Sequence, residues 1–193
     1  MRTIKFPNQA SQHSIVSGEQ MDTSDERYEI RQAKMTVNDR DECLRIIQEI
    51  ARNHSTRIVC FDAEKLAGRE HADAAIRHAQ RSILSAKPIS NSFEMEALLF
   101  AAGTRQCSVA SLFGIHKGEN KMFVCLYPVK EEVWKALSYH MHFVTETWDN
   151  WSALKIASMM SLFGITQDEL ETVGKERIKD LILERIALLE VCR

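Results

Sequence analysis

Between Ser92 and Gly103 the chain reads Phe93-Glu94-Met95-Glu96-Ala97-Leu98-Leu99-Phe100-Ala101-Ala102, apolar almost all round beyond Glu96. Asn91 with Glu94 three residues on resembles a helix-capping pair. Gly103 is the residue type that ends helices in the left-handed conformation. The segment therefore predicts a helix over 92–102, and a helix without a polar face is buried. The rest of the chain has to cover it.

The covering elements are readable on both sides. Residues 28–37 lack Gly and Pro and alternate imperfectly, as a half-buried strand does. Short apolar runs at 57–61 and 122–127 predict two more strands, the second stopped by Pro128. Polar stretches predict a loop over 17–26 and a turn at 118–120. Asn38 reads as an N-cap with Asp41 in the first turn of a helix over 39–52. A helix over 69–85 carries Ala72, Ala75, Ile76, Ala79 and Ile83 on one stripe, with Arg77, Arg81 and, toward one side, His78 on the opposite face. Lys87-Pro88 breaks it. A short helix over 105–113 and amphipathic helices over 131–143, 152–163 and 175–191 follow. Ser111-Leu112-Phe113-Gly114-Ile115 recurs as Ser161-Leu162-Phe163-Gly164-Ile165, which reads as one helix stop used twice. The order predicts a single α+β domain, with a central β-sheet flanked by several helices.

Composition narrows the class. The chain has 193 residues, 45% hydrophobic and 27% charged, within the range of soluble globular domains. No apolar run approaches the roughly 18 residues of a membrane span. The start, Met1-Arg2-Thr3-Ile4-Lys5-Phe6-Pro7, lacks the pattern of a secretory signal, so the expected location is cytoplasmic. Cys43, Cys60, Cys107, Cys125 and Cys192 show no metal or redox spacing, and reduced, buried thiols are expected.

Motifs for chemistry are missing. Neither phosphate-cradling glycine loop is present, and there is no nucleophile elbow. His140 and His142 point to different helix faces, and His71 and His78 lack a third ligand, so no metal site is expected. Glu94 and Glu96 point apart on their helix, and neither pairs as acid with base. No catalytic residue and no cofactor is expected. An enzyme would have to assemble its site from isolated residues such as His71, His78 and Glu94.

A binding surface is easier to place. The net charge is −2, yet residues 65–125 carry 8 basic and 5 acidic side chains, a local +3. Arg77, Arg81 and Lys87 supply charge near one turn, and Pro88-Ile89 supplies a rigid apolar edge. Asn91 and Ser92 open the buried helix, whose N-terminal donors suit a phosphate. Arg105 and Gln106 follow Gly103. Such a set suits a single-stranded RNA end, while a solvated basic face has the same composition.

The segment Lys87-Pro88-Ile89-Ser90-Asn91-Ser92-Phe93-Glu94-Met95-Glu96, continued through Gly103-Thr104-Arg105-Gln106, closely resembles the signature of the kinase-binding small subunit of the KEOPS complex. That pattern runs roughly K-x-I-x-N-S-x-x-M-E-I-L-x-x-A-S-G-x-R-Q-I. Ala102 and Cys107 replace the usual Ser and Ile. Residues 61–71 and 185–190 are also similar to the family. The resemblance covers about two-thirds of the chain, with 57–193 as the family core and 1–56 poorly aligned. It implies a non-enzymatic subunit of a tRNA threonylcarbamoyladenosine-modification complex. Such a subunit binds and stimulates the complex's small atypical protein kinase, meets other KEOPS subunits indirectly, and recognises the CCA end of tRNA. On that basis Arg77, Arg81, Lys87, Ile89, Asn91, Ser92, Arg105 and Gln106 are the expected tRNA-binding residues. Asn91, Ser92, Gly103 and Gln106 also admit a structural reading, as caps of the buried helix. A protein–protein adaptor on the same fold without tRNA binding is the alternative. Trp134, Phe143, Trp148 and Trp151 are candidate kinase anchors or core residues.

Overall fold

The computed structural model describes residues 27–148 and 151–191; the loop expected over 17–26, and Cys192, lie outside them. Strands β1 (Glu29–Val37), β2 (Arg57–Asp62), β3 (Gly118–Tyr127) and β4 (His142–Val144) form one sheet in the order β2-β3-β1-β4. Every neighbouring pair is antiparallel. In β2 and β3 apolar residues occupy both parities, which requires a sheet covered on both faces. The register brings Ile30 and Val59 to either side of Cys125, and Phe61 beside Phe123.

On one face Ile30, Val59, Phe61, Phe123 and Cys125 pack beneath four helices. These are α2 (Arg69–Leu84), α3 (Phe93–Ala102), α6 (Ala153–Phe163) and α8 (Ile178–Val191). On the other face Ala33, Ile58, Met122, Val124 and Leu126 pack against α1 (Arg40–Asn53) and α5 (Glu131–Leu137), through Ile47, Val133, Trp134 and Leu137. The chain is thus α+β, as its pattern predicts. Helix α3 sits in the larger core, where Leu99 and Phe100 are fully buried. Each such side chain contributes about 1.5–3 kcal/mol.

Several boundaries differ from expectation. Asp39, one residue after Asn38, caps α1, and its carboxylate accepts from the Asp41 and Glu42 amides. The turn expected at 118–120 is the start of β3, because Gly118 pairs with Val37 across the sheet. The buried Asn120 side chain bonds to the backbone of His116 and Gly118, and so makes the turn within the strand. The helix expected over 131–143 stops at Leu137, and residues 142–144 join the sheet beside β1. The short helix over 105–113 divides into α4 (Cys107–Ala110) and a 3₁₀ turn, Ser111–Phe113. The last helix begins with a 3₁₀ turn, Lys175–Arg177, before α8. Helix α7 (Gln167–Val173) was not expected, although Thr166 and Glu169 form a complete capping box in front of it.

The repeated five residues are not one device used twice. Gly164 is left-handed (φ 60°) and ends α6, as expected. Gly114 is extended (φ −98°), and a Cβ there would lie 3.4 Å from Leu98 Cδ1 and 3.7 Å from the Cys60 carbonyl. Close approach to β2 and α3, not backbone handedness, accounts for that glycine. The two copies do meet, since Phe113 and Phe163 pack edge to face at 6.0 Å. Among the described residues, no helix is long and apolar enough to cross a membrane.

Candidate nucleic-acid interface

Helix α3 ends as expected, with Gly103 left-handed at φ 60°. Its start is capped by Ser92, whose Oγ accepts the Met95 amide at 3.1 Å; Asn91 is not the cap and its side chain is exposed. The residue that organises the segment before α3 is Glu96. Its carboxylate is completely buried. It accepts the Ser82 hydroxyl at 2.5 Å, the Ile89 amide at 2.9 Å and the Ser90 amide at 2.8 Å. Burying a carboxylate is costly unless such donors replace water. Glu96 therefore ties the end of α2, the loop over 85–92 and α3 into one unit.

The expected binding residues fall into three groups around this unit. Lys87, Asn91 and Ser92 are exposed on or beside the loop, and Ile89 is half-buried against the larger core. Arg105 and Gln106 are exposed at the other end of α3, about 15 Å away for ten helical residues. Arg105 makes no ion pair among the described residues. Arg77 and Arg81 form the third group, on α2, and both are engaged. Arg77 pairs with Asp73, which also accepts the Tyr28 hydroxyl. Arg81 pairs with Glu190 of α8 at 3.0 Å.

The sequence pattern puts His78 toward one side of the face of α2 opposite its apolar stripe. It is instead buried between α2, α3 and α8, stacked on Phe100 at 5.1 Å with Nδ1 2.6 Å from Glu190. Burial chiefly holds its pKa below the ordinary value, against the opposing bond to Glu190. The Arg81 bond and the His78 bond hold the Glu190 carboxyl low. This cluster fastens the C-terminal turns of α2 and α8 together.

A cleft of about 760 Å³ runs beside the N-terminal half of α3, from Ser92 past Leu98 to Gly114 and Ile115. Ser92, Glu94, Met95 and Leu98 form one wall and α1 the other, with Ile58 and Cys60 of the edge strand β2 between them. Arg57 lies 3.9 Å from Glu94, near the start of α3. Arg40 donates to the Ile115 carbonyl at 2.8 Å, and Gly114 touches Leu98 further along the helix. Ser92 is the one expected binding residue that lines the cleft. Arg40, Arg52 and Arg57 line it too, although the sequence pattern assigned them nothing. The signal was present: Arg40 falls on the stripe of Leu44 and Ala51, where an arginine is out of place on an apolar face.

The scattered groups named for an enzyme do not converge. His71 is buried inside the α2–α3 contact, whereas Glu94 faces the cleft beside Arg57. Among the described residues, no cluster of three or more His, Cys, Asp or Glu has the arrangement to hold a metal ion. Cys60 and Cys125 are buried free thiols, and burial pushes Cys60 up to about 12. Cys107 is exposed, contrary to expectation, because it opens a short surface helix. Trp134 is buried in the smaller core, and Trp148 and Trp151 pack against the larger one. No family model and no curated protein matches this chain.

Proposed function

We propose that the chain is a non-catalytic adaptor of the KEOPS type, which grips the single-stranded CCA end of tRNA and binds a small atypical protein kinase. The observation that carries this reading is the organisation around α3. The glutamate of the resembling signature, Glu96, fixes the loop bearing Lys87, Asn91 and Ser92, and a cleft lined by Ser92, Met95 and Leu98 opens beside that loop. Its apolar wall suits an unpaired base, and the flanking cations suit phosphates. An adaptor of this kind contributes affinity and orientation to chemistry performed elsewhere.

The kinase surface is assigned to the ends of α2 and α8. Ile83, Leu84, Leu188 and Val191 are exposed there, on two helix ends joined by the Arg81–Glu190 pair. Exposed apolar groups gathered in this way suit a protein partner. Leu84→Glu should abolish co-purification with the cognate kinase while leaving thermal unfolding unchanged. Retained co-purification would move the kinase site elsewhere.

Replacing Lys87 and Arg105 by Glu tests the RNA reading. In a titration with tRNA, the double variant should bind at least tenfold more weakly. The slope of log affinity against log salt should fall by about 1.4, near 0.7 for each phosphate that is no longer neutralised. Removing the unpaired CCA from the tRNA should weaken the unsubstituted chain similarly. Equal binding of both proteins to both RNAs would sink the assignment. The adaptor without tRNA binding draws support from Arg77 and Arg81, whose charges are already met by Asp73 and Glu190. Kinase binding with no affinity for tRNA would establish that reading.

A further inference from the structure

We infer that Arg40, Arg52 and Arg57 form a second RNA-binding wall, so that the unpaired strand passes between α1 and α3 instead of lying on the signature loop alone. This rests on the RNA-binding reading above and assigns contacts to Arg40 and Arg52, in the part that the resemblance leaves poorly aligned, and to Arg57 at the edge of the family core. The three arginines project into the same cleft from the first turn of α1, its last turn, and the start of β2.

Their surroundings keep them available. Arg40 spends its Nε on the Ile115 carbonyl, and Arg52 its Nε on the Gln48 carbonyl at 3.4 Å. Each guanidinium is thereby positioned, with its terminal nitrogens left for a ligand. Neither makes an ion pair among the described residues. Among the described residues Arg57 pairs with Glu94 alone, at a long 3.9 Å with the arginine exposed, where such a pair is worth little. Three arginines against one glutamate make the cleft cationic, and a planar fork on each suits phosphate oxygens. The opposite wall supplies half-buried Met95 and Leu98, an apolar face for a base.

Dimensions favour a nucleic acid strand over a peptide. Arg40 and Arg52 are twelve residues apart on α1, about 18 Å along its axis. That length accommodates about five stacked nucleotides at roughly 3.4 Å each. A peptide would enter by adding a strand to β2. The segment before Ile115 narrows that route, because a Cβ at Gly114 would lie only 3.7 Å from the Cys60 carbonyl. Only residues 57–59 of the edge remain, the shortest length at which a strand pairs.

The test is a fluorescence titration of the full chain with an RNA hairpin ending in an unpaired 3′ CCA. The proteins are the unsubstituted chain, the variant with Lys87→Glu and Arg105→Glu, and the variant with Arg40→Ala, Arg52→Ala and Arg57→Ala. The pair Arg52→Ala and Arg57→Ala guards against misfolding through removal of the Arg40–Ile115 bond. The triple variant should bind at least thirtyfold more weakly, with the salt slope reduced by about 2, and the pair should show about two-thirds of that reduction. If the hairpin binds, Lys87→Glu with Arg105→Glu weakens it and both arginine variants bind normally, the second wall is wrong and the RNA-binding reading stands. If the unsubstituted chain binds no hairpin, both fail. A glutamate decapeptide that displaces the RNA at equal concentration would overturn the strand assignment in favour of an acidic peptide.

Discussion

Glu96→Ala should destabilise the protein by about 3–5 kcal/mol, one of the largest effects of any single substitution in it. The side chain is completely buried and serves three donors, the Ser82 hydroxyl and the Ile89 and Ser90 amides. Alanine removes the acceptor of the Ile89 and Ser90 amides, leaves the Ser82 hydroxyl with the Lys87 carbonyl at 3.2 Å, and adds a cavity at the α2–α3 contact. Glu96→Gln separates the two causes. It keeps the volume, but an amide presents a donor where one carboxylate oxygen now accepts, so about 2–3 kcal/mol should still be lost. In a domain of this size that corresponds to a melting point lower by roughly 5–10 °C. Urea unfolding measures both variants, and limited proteolysis over 85–92 should cut each faster than the unsubstituted chain. A loss under 1 kcal/mol with unchanged proteolysis would mean that the loop is held by something else. RNA binding should fall with loop order, even in a variant still folded at the temperature of measurement, because Lys87 and Ser92 are presented by that loop.

This carboxylate also marks the limit of what the sequence discloses. Helix α3 is legible from its own residues, since a segment with no polar face can only be interior. Glu96 is visible there as the one discordant residue. Its partners are not visible, because no local periodicity reports that a loop seven residues upstream will turn two amides toward it. Strands β2 and β3 are likewise legible as apolar runs. The beginning of β3 is not, because Gly118 and Asn120 look like turn residues until Val37 is placed opposite. Residues 142–144 continue the apolar pattern of α5, and only pairing of Val144 with Gln32 decides for a strand. His78 shares a helical face with charged neighbours, but α8 folds over it from more than a hundred residues away. In each case a long-range contact overrides a local preference. The unread part of the candidate site has the same origin. Arg40 and Arg57 join Ser92 and Glu94 only after α1 and α3 have been placed on opposite faces of one sheet.

The α2–α3 contact also sets a pH dependence of stability. His71 is completely buried on α2; its Nδ1 accepts the Ala67 amide at 3.1 Å and its Nε2 donates to the Ala101 carbonyl at 2.9 Å. An amide can only donate and a carbonyl can only accept, so the folded protein holds the neutral ring with its proton on Nε2. Protonating Nδ1 would set two N–H groups against each other in the core. Burial lowers the folded pKa from 6.5 to about 4, opposed by the bond to Ala101. Between those values the unfolded chain carries the additional proton, so this contribution is present in full above pH 6.5 and is lost as pH falls toward 4. The difference amounts to about 3 kcal/mol, at 1.36 kcal/mol per pH unit. His78 titrates in the same direction, and carboxylates such as Glu190 add their own losses at lower pH. The contribution of His71 is therefore isolated by comparison with His71→Gln, unfolded in urea at pH 6.5 and at pH 5. The glutamine variant is less stable at both values, but its drop between them should be about 2 kcal/mol smaller than in the unsubstituted chain. Parallel losses in the two proteins would show that the ring is already charged in the folded state or can leave its two bonds at little cost. In either event, the junction of α2 with the end of α3 beside Arg105 would be softer than its geometry implies.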